Sequence, residues 1–330
     1  MRKTIFTILT IIITTIILMG CSSGNGEQTQ FEEVQQTNTM IPSSTVTETP
    51  NPSPTSTNTE TPSATATNTI TPTEELGIGS EMKNPNDGAD MVFVPEGNFL
   101  MGSDDIAAND GESPEHKVYL DAFWIYKYEV TNAQFAAFLN AEGNQEEGGV
   151  TWLGSENFDV QIDQQNGQWI PDEGYTYHPV MYVNWHAAKS YCKWVGGRLP
   201  TEAEWEKAAR GENGQTYPWG ENEPNCDLVD YDCVVGTSPV GSYDAAASPY
   251  GVMDMAGNVM EWVADWWAPD YYRTSPEQNP TGPNTGTYKV LRGGSWFGIW
   301  GHSLAAADRY KDKPENDNYY IGFRCVYETP

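Results

Sequence analysis

Between Thr39 and Glu75 the chain is written mainly in Thr, Pro, Ser and Asn, as in Thr47-Glu48-Thr49-Pro50 and Thr61-Pro62-Ser63-Ala64-Thr65. No other feature limits the fold as much. Such a segment has too little apolar surface to offset the entropy of ordering it. Its prolines favour extended polyproline II geometry, which makes it a spacer. The sequence therefore divides into residues 1–21, a disordered Thr/Pro/Ser-rich tether over residues 22–89, and a folded part over residues 90–330 that holds nearly all the aromatic residues. That last zone is long enough for one large domain with a substantial core.

The first zone reads as an export signal. Arg2 and Lys3 precede an uncharged apolar run from Ile5 to Leu18, which ends at Met19-Gly20-Cys21. The run is too short and too abruptly ended for a comfortable transmembrane helix. Leu18-Met19-Gly20-Cys21 resembles the bacterial lipobox, which predicts lipidation at Cys21 and a membrane-anchored lipoprotein on the cell surface or in the periplasm. Composition narrows the partners further. Seventeen Lys and Arg against 46 Asp and Glu give a net charge of −29, which argues against nucleic acid held through its phosphates. An aromatic content of 12% is too high for a disordered acidic protein.

Within residues 90–330, Met91-Val92-Phe93-Val94 and Val118-Tyr119-Leu120 read as short strands. Three helices are marked by their caps. Thr131 with Gln134 forms a capping box ahead of the stripe Phe135, Phe138 and Leu139. Asn184 caps a helix whose inner face is Ala188, Tyr191, Cys192 and Val195. Thr201 with Glu204 is a second capping box, before Trp205, Ala208 and Ala209 and a stop near Gly211. Beyond it the pattern is loops and short strands. With Cys21 lipidated, four cysteines remain, and in an exported domain four cysteines point to two disulfides with three connectivities. Cys226 and Cys233 are near neighbours expected to pair locally. Cys192 and Cys325 then close a long loop, worth about 4–5 kcal/mol in the chain-entropy model.

Several segments together resemble the sulfatase-modifying-factor family, the formylglycine-generating enzymes and their relatives. They are Phe93-Val94-Pro95-Glu96-Gly97 through Met101-Gly102-Ser103, Tyr128-Glu129-Val130-Thr131-Asn132, and His178-Pro179-Val180 with Val183-Asn184-Trp185. They continue as Gly197-Arg198-Leu199-Pro200-Thr201-Glu202-Ala203-Glu204-Trp205-Glu206, Tyr217-Pro218-Trp219-Gly220 and Gly257-Asn258-Val259-Met260-Glu261-Trp262. The last are Arg292-Gly293-Gly294-Ser295-Trp296 and Ile321-Gly322-Phe323-Arg324-Cys325. The resemblance implies an α+β domain of the C-type-lectin-like type with little regular secondary structure. It also implies the Cys192–Cys325 bridge.

What the resemblance implies about chemistry is divided. The oxidases of this family hold copper(I) on a Cys pair after the Gly-Gly-Ser motif, because soft sulfur ligands suit that ion. Here Gly298 and Ser303 occupy those two positions and Met260 replaces a usual Trp, so copper is not expected. Ser295, at the oxidases' active-site serine position, and Ser303 are the catalytic candidates if an enzyme remains. The family's calcium positions are better kept. Asp254, Gly257, Val259 and Glu261 match one site. Asn225, Cys226, Asp232 and Val234 match the other, with Glu129 as an additional ligand, and all offer the hard oxygen donors calcium takes. The competing reading makes Glu261 a buried structural carboxylate and Asp232 a solvated loop acid.

The function expected is a tethered binding or interaction module whose partner is a protein or a glycan. Its ligand groove would involve Trp296, Trp300, His302, Arg309, Tyr310 and Tyr319, residue types favoured on adaptable recognition surfaces. The alternative is an oxidase converting a sulfatase cysteine to formylglycine.

Overall fold

The structure is a computed structural model and describes residues 76–105, 111–298 and 304–329. Cys21, Trp300, His302 and Ser303 lie outside the described residues, as do the signal and the tether up to residue 75. The expected tether ends earlier than residue 89, because residues 81–83 form a strand paired to residues 90–92. In chain order come β1 (Glu81–Lys83), β2 (Asp90–Val94), β3 (Gly97–Met101), β4 (His116–Leu120) and β5 (Phe123–Tyr126). Helix α1 (Asn132–Glu142) is followed by two small hairpins, β6 (Glu146–Glu147) with β7 (Val150–Thr151) and β8 (Ile162–Gln165) with β9 (Gln168–Pro171). Helices α2 (Trp185–Trp194) and α3 (Glu202–Arg210) precede β10 (Met260–Trp266), β11 (Lys289–Arg292), β12 (Tyr310–Asp312), β13 (Ile321–Gly322) and β14 (Val326–Glu328).

Strand periodicity explains how one sheet serves two cores. In the antiparallel sheet β1-β2-β5-β14, alternate side chains point to opposite faces. Met91, Phe93, Trp124 and Tyr126 enter the core built by α1 and α2, around Phe135, Phe138 and Tyr191. Val92, Val94, Phe123 and Ile125 enter the other, with Trp205 and Ala208 of α3 and with Phe99 and Val118 of the β3–β4 hairpin. A second sheet, ordered β12-β11-β10-β13, pairs β10 antiparallel to β11 and parallel to β13.

Each expected cap is present. Thr131 and Gln134, and Thr201 and Glu204, form reciprocal capping boxes, while the Asn184 side chain accepts from the Ala187 N–H. Helix α3 ends at Gly211, whose φ of 70° favours glycine and where a Cβ would lie 2.9 Å from Pro249 Cγ. Both expected disulfides form, Cys192–Cys325 and Cys226–Cys233. The first joins α2 to the segment between β13 and β14.

Helix α3 departs from an ordinary amphipathic helix, since all nine of its residues are buried. Its polar face is satisfied by arginines. Glu206 accepts from the Gly102 N–H (2.7 Å), from Arg210 one turn later (3.0 Å) and from Arg292 (2.5 Å). Arg309 donates twice to Glu202, at 2.6 and 2.8 Å, and lies over the Tyr272 ring. Burial pushes the Glu202 carboxyl up, but Arg309 and Arg292 outweigh it and hold the group below its usual range.

Candidate functional site

The second sheet and the loop after β11 build a cavity of about 290 Å³ lined by Met260, Leu291, Ser295, Phe297, Tyr310, Lys311, Asp312, Tyr319 and Tyr320. The loop is shaped by Gly293 and Gly294 at φ 93° and 69°; a Cβ on Gly293 would meet the Trp205 ring at 3.0 Å. An aromatic cluster forms one wall, with Tyr319 at 5.8 Å from Trp296, 5.1 Å from Phe297 and 5.0 Å from Tyr320, centroid to centroid. The Trp296 indole donates to the Tyr319 carbonyl (3.1 Å), which fixes the two segments together. Burial pushes the Tyr320 hydroxyl's pKa up, so it serves as a neutral donor and acceptor. The cavity thus offers flat rings, hydroxyls and one carboxylate, while the Lys311 ammonium is turned onto the Trp267 ring, 3.3 Å from its centroid.

The structure brings Ser295, Tyr310 and Tyr319 to the cavity and places Trp296 behind it. Arg309 is a correction. It is 7% exposed, and its guanidinium is committed to Glu202 and to the Gly111 carbonyl, so it braces α3 and does not face a ligand. Phe297, Lys311 and Asp312 line the cavity but were not legible as site residues, because only the pairing of β12 with β11 sets which side chains face it.

Gly298 holds the position where the resemblance places a copper-binding cysteine. It lies against the disulfide loop: an added Cβ would sit 2.8 Å from Asp232 Cβ and 3.3 Å from the Tyr231 ring. The four cysteines among the described residues are all in disulfides, so none supplies a thiol to this cavity.

The residues matched to calcium separate into two environments. Glu261 accepts from Arg324 through both oxygens, at 2.7 Å each, and from the Trp205 indole at 3.0 Å. A guanidinium therefore already supplies its counter-charge, and the reading of Glu261 as an ion ligand gives way to a buried structural carboxylate. Asp254 accepts from the Gly241 N–H (2.6 Å) and Glu129 from the Asn258 amide (2.6 Å) and the Val259 N–H (3.1 Å). Gly257 and Val259 lie in the same turn, where the Gly257 N–H donates to the Gly293 carbonyl at 2.8 Å. Burial, followed by the charges of Asp254 and Glu261, pushes Glu129 well above the carboxylate range. Burial likewise pushes Asp254 to about 6. Arg324 was quoted only as a motif member; the sequence gives no sign that it sits among these acids.

The other matched set, Asn225, Cys226, Asp232 and Val234, lies on the loop closed by the Cys226–Cys233 disulfide. Asp232 is exposed, at φ 54°, and its N–H donates to the Trp296 carbonyl at 2.9 Å, so this loop is pinned to the groove wall. Glu129 is engaged by Asn258 and Val259 and does not join it. The carbonyl and amide oxygens of the matched residues and the carboxylate of Asp232 are donors of the kind calcium takes, and the same loop also carries Asp227 and Asp230. Among the described residues no three His, Cys, Asp or Glu side chains converge as a ready metal cage.

A model of the sulfatase-modifying factor enzyme 1-like domain matches residues 79–329. The chain belongs to this family. Among its relatives is the serine/threonine-protein kinase pkn1 of Chlamydia caviae, 39% identical over 242 residues, which span 72% of this chain and 38% of that protein. The chain thus covers well under half the length of that kinase. The formylglycine-generating enzyme of Thermomonospora curvata is 36% identical over 282 residues, covering 72% of this chain and 92% of the enzyme. Among solved structures, PvdO from Pseudomonas aeruginosa matches with a TM-score of 0.61 at 27% identity, across 77% of this chain and 100% of its own. The α+β architecture described above is the family's.

Proposed function

We propose that the folded domain, which β1 extends back to Glu81, is a binding module without thiol-oxidase chemistry, exported and held to a membrane by a lipid on Cys21 and the tether that precedes this strand. One observation carries this reading: the space a side chain would need at Gly298 is occupied by Asp232 and Tyr231, on a wall whose neighbouring cavity presents rings and hydroxyls. Such a surface suits a protein loop or a glycan, since aromatic faces stack on apolar surfaces and hydroxyls adapt their hydrogen bonds. The test is a screen of the purified chain against glycans and envelope proteins, repeated with Phe297, Tyr310 and Tyr319 changed to alanine together. Loss of the selected ligand supports the groove; unchanged binding places the site elsewhere.

Calcium belongs to this proposal as a structural ion at the Asn225–Val234 loop, where it would stiffen one wall of the groove. Calcium, and not magnesium, should raise the melting midpoint, by about 2.7 kcal/mol of stabilisation at a hundredfold excess over Kd. Asp232→Asn should remove much of that response. A midpoint indifferent to millimolar calcium ends the assignment.

A further inference from the structure

A second and larger cleft, of about 660 Å³, opens away from the groove residues, between the β4–β5 turn, the start of α2, the α2–α3 connection and the sheet strands β10 and β11. Its volume lies within the range of small-molecule sites. The walls are largely apolar, from Leu120, Phe123, Leu199, Ala264 and the ring of Trp185. Its lining holds three cations and three carboxylates, but they are not paired one to one. Glu204 is spent on Arg198, which donates to both its oxygens at 2.7 Å, and Asp121 accepts from the Asn279 amide at 2.9 Å. Glu328 is 81% exposed and faces Arg198.

Two ammonium groups have no carboxylate at ion-pair distance among the described residues. Lys289, 3% exposed, is held between the rings of Trp185 and Trp266, at 3.9 and 3.8 Å from their centroids, and donates to the Ala264 carbonyl at 2.7 Å. Lys189, on the exposed side of α2, lies 5.2 Å over the other reach of Trp185. Burial lowers the Lys289 ammonium to about 8; the charge of buried Asp265 opposes this, and that of Lys189 adds to it. In a chain of net charge −29, one buried and one exposed ammonium, neither in an ion pair, beside an apolar cleft are a place where an organic anion gains both charge and contact.

We propose that this cleft binds a small organic carboxylate, its apolar body against Trp185 and Leu199 and its charge between Lys189 and Lys289. Size favours a small molecule over a folded partner, and the apolar walls favour an organic acid over an inorganic anion, which would leave them unfilled.

The experiment uses ligand-observed saturation-transfer NMR on the purified chain, with phenylacetate and its uncharged isostere phenylacetamide as probes. Phenylacetate should bind saturably and about tenfold more tightly than the amide. Lys189→Gln, at an exposed position, should weaken phenylacetate about threefold to tenfold while leaving the amide and the melting midpoint unchanged. Lys289→Gln should abolish the preference for the anion; if that buried change prevents folding, Lys189→Gln still decides. Tyr319→Ala should have no effect, because it lies in the groove. Equal binding of the two probes, no saturable binding of phenylacetate, indifference to Lys189→Gln, or loss through Tyr319→Ala would each overturn the proposal.

Discussion

Two buried ionic clusters brace this domain, and they are balanced differently. Around α3, Glu202 and Glu206 meet Arg210, Arg292 and Arg309, so both glutamates have a guanidinium at hydrogen-bond distance, while buried Asp265 beside them accepts from the Glu202 N–H at 2.9 Å. Around the Asn258 turn, Glu129, Asp254 and Glu261 share the single guanidinium of Arg324, which is spent on Glu261, while Asp230 nearby accepts from the Ser238 hydroxyl at 2.6 Å. Arginine holds Glu202 below its usual range in the first cluster. In the second, burial raises Glu129, Asp254 and Asp230, and the charges of neighbouring acids add to it at Glu129 and Asp254. The glutamates of the first cluster are thus neutralised by arginines, with Asp265, pushed to about 8 by burial and by the charge of Glu202, as its one acid that holds a proton; in the second cluster most of the acids lack a guanidinium.

The sharpest way to break this contrast is Arg324→Met. It strands Glu261 opposite Glu129 and Asp254, and removal of one partner from a buried pair costs about 3–5 kcal/mol. Denaturant unfolding at neutral pH should show that loss, with partial recovery in mild acid as the carboxylates protonate. A cost under about 1 kcal/mol would mean the cluster is solvated and the contrast false.

The next effect is a pH dependence. Asp254 rises from the usual 3.8 to about 6, so the folded state keeps a proton that the unfolded chain releases. Its contribution to stability is complete below about pH 4 and is lost as pH rises through about 6, a change of about 2–3 kcal/mol. Asp254→Asn should flatten stability across that window, since asparagine tolerates the left-handed conformation at φ 56° and can still accept from Gly241. An unchanged pH profile in unfolding experiments would assign the window to another group.

Smaller effects sharpen the groove side of the comparison. Gly298→Ala should cost about 1–3 kcal/mol through the contact with Asp232, read as a lowered midpoint. Thr201→Ala should cost about 1 kcal/mol by removing the cap of α3; a cost no larger than that of an exposed surface change would show that the arginines alone hold the helix.

The helices were legible because their signals are local. Thr131, Asn184 and Thr201 each act within four residues, and Phe135, Phe138 and Leu139 mark one face by spacing alone. The two-cored sheet was not legible, because a run such as Met91-Val92-Phe93-Val94 reads the same whether one face or both are buried. The seven-residue strand β10 was hidden among aromatic residues that suit loop packing equally well. At the site, Ser295, Tyr310 and Tyr319 could be placed by motif position. Arg309 could not, since its neighbours Glu202 and Gly111 are distant in sequence. Arg324 was missed for the same reason: its role is defined by Glu261, far earlier in the chain.

The central claim is that the groove binds without oxidising a cysteine, and one assay meets it directly. The purified chain is incubated with copper(I), oxygen and a peptide carrying the Cys-x-Pro-x-Arg motif of sulfatases, and the peptide is weighed by mass spectrometry. The account expects the cysteine to remain intact, whatever the incubation time. A mass loss matching conversion of the thiol to an aldehyde would contradict it.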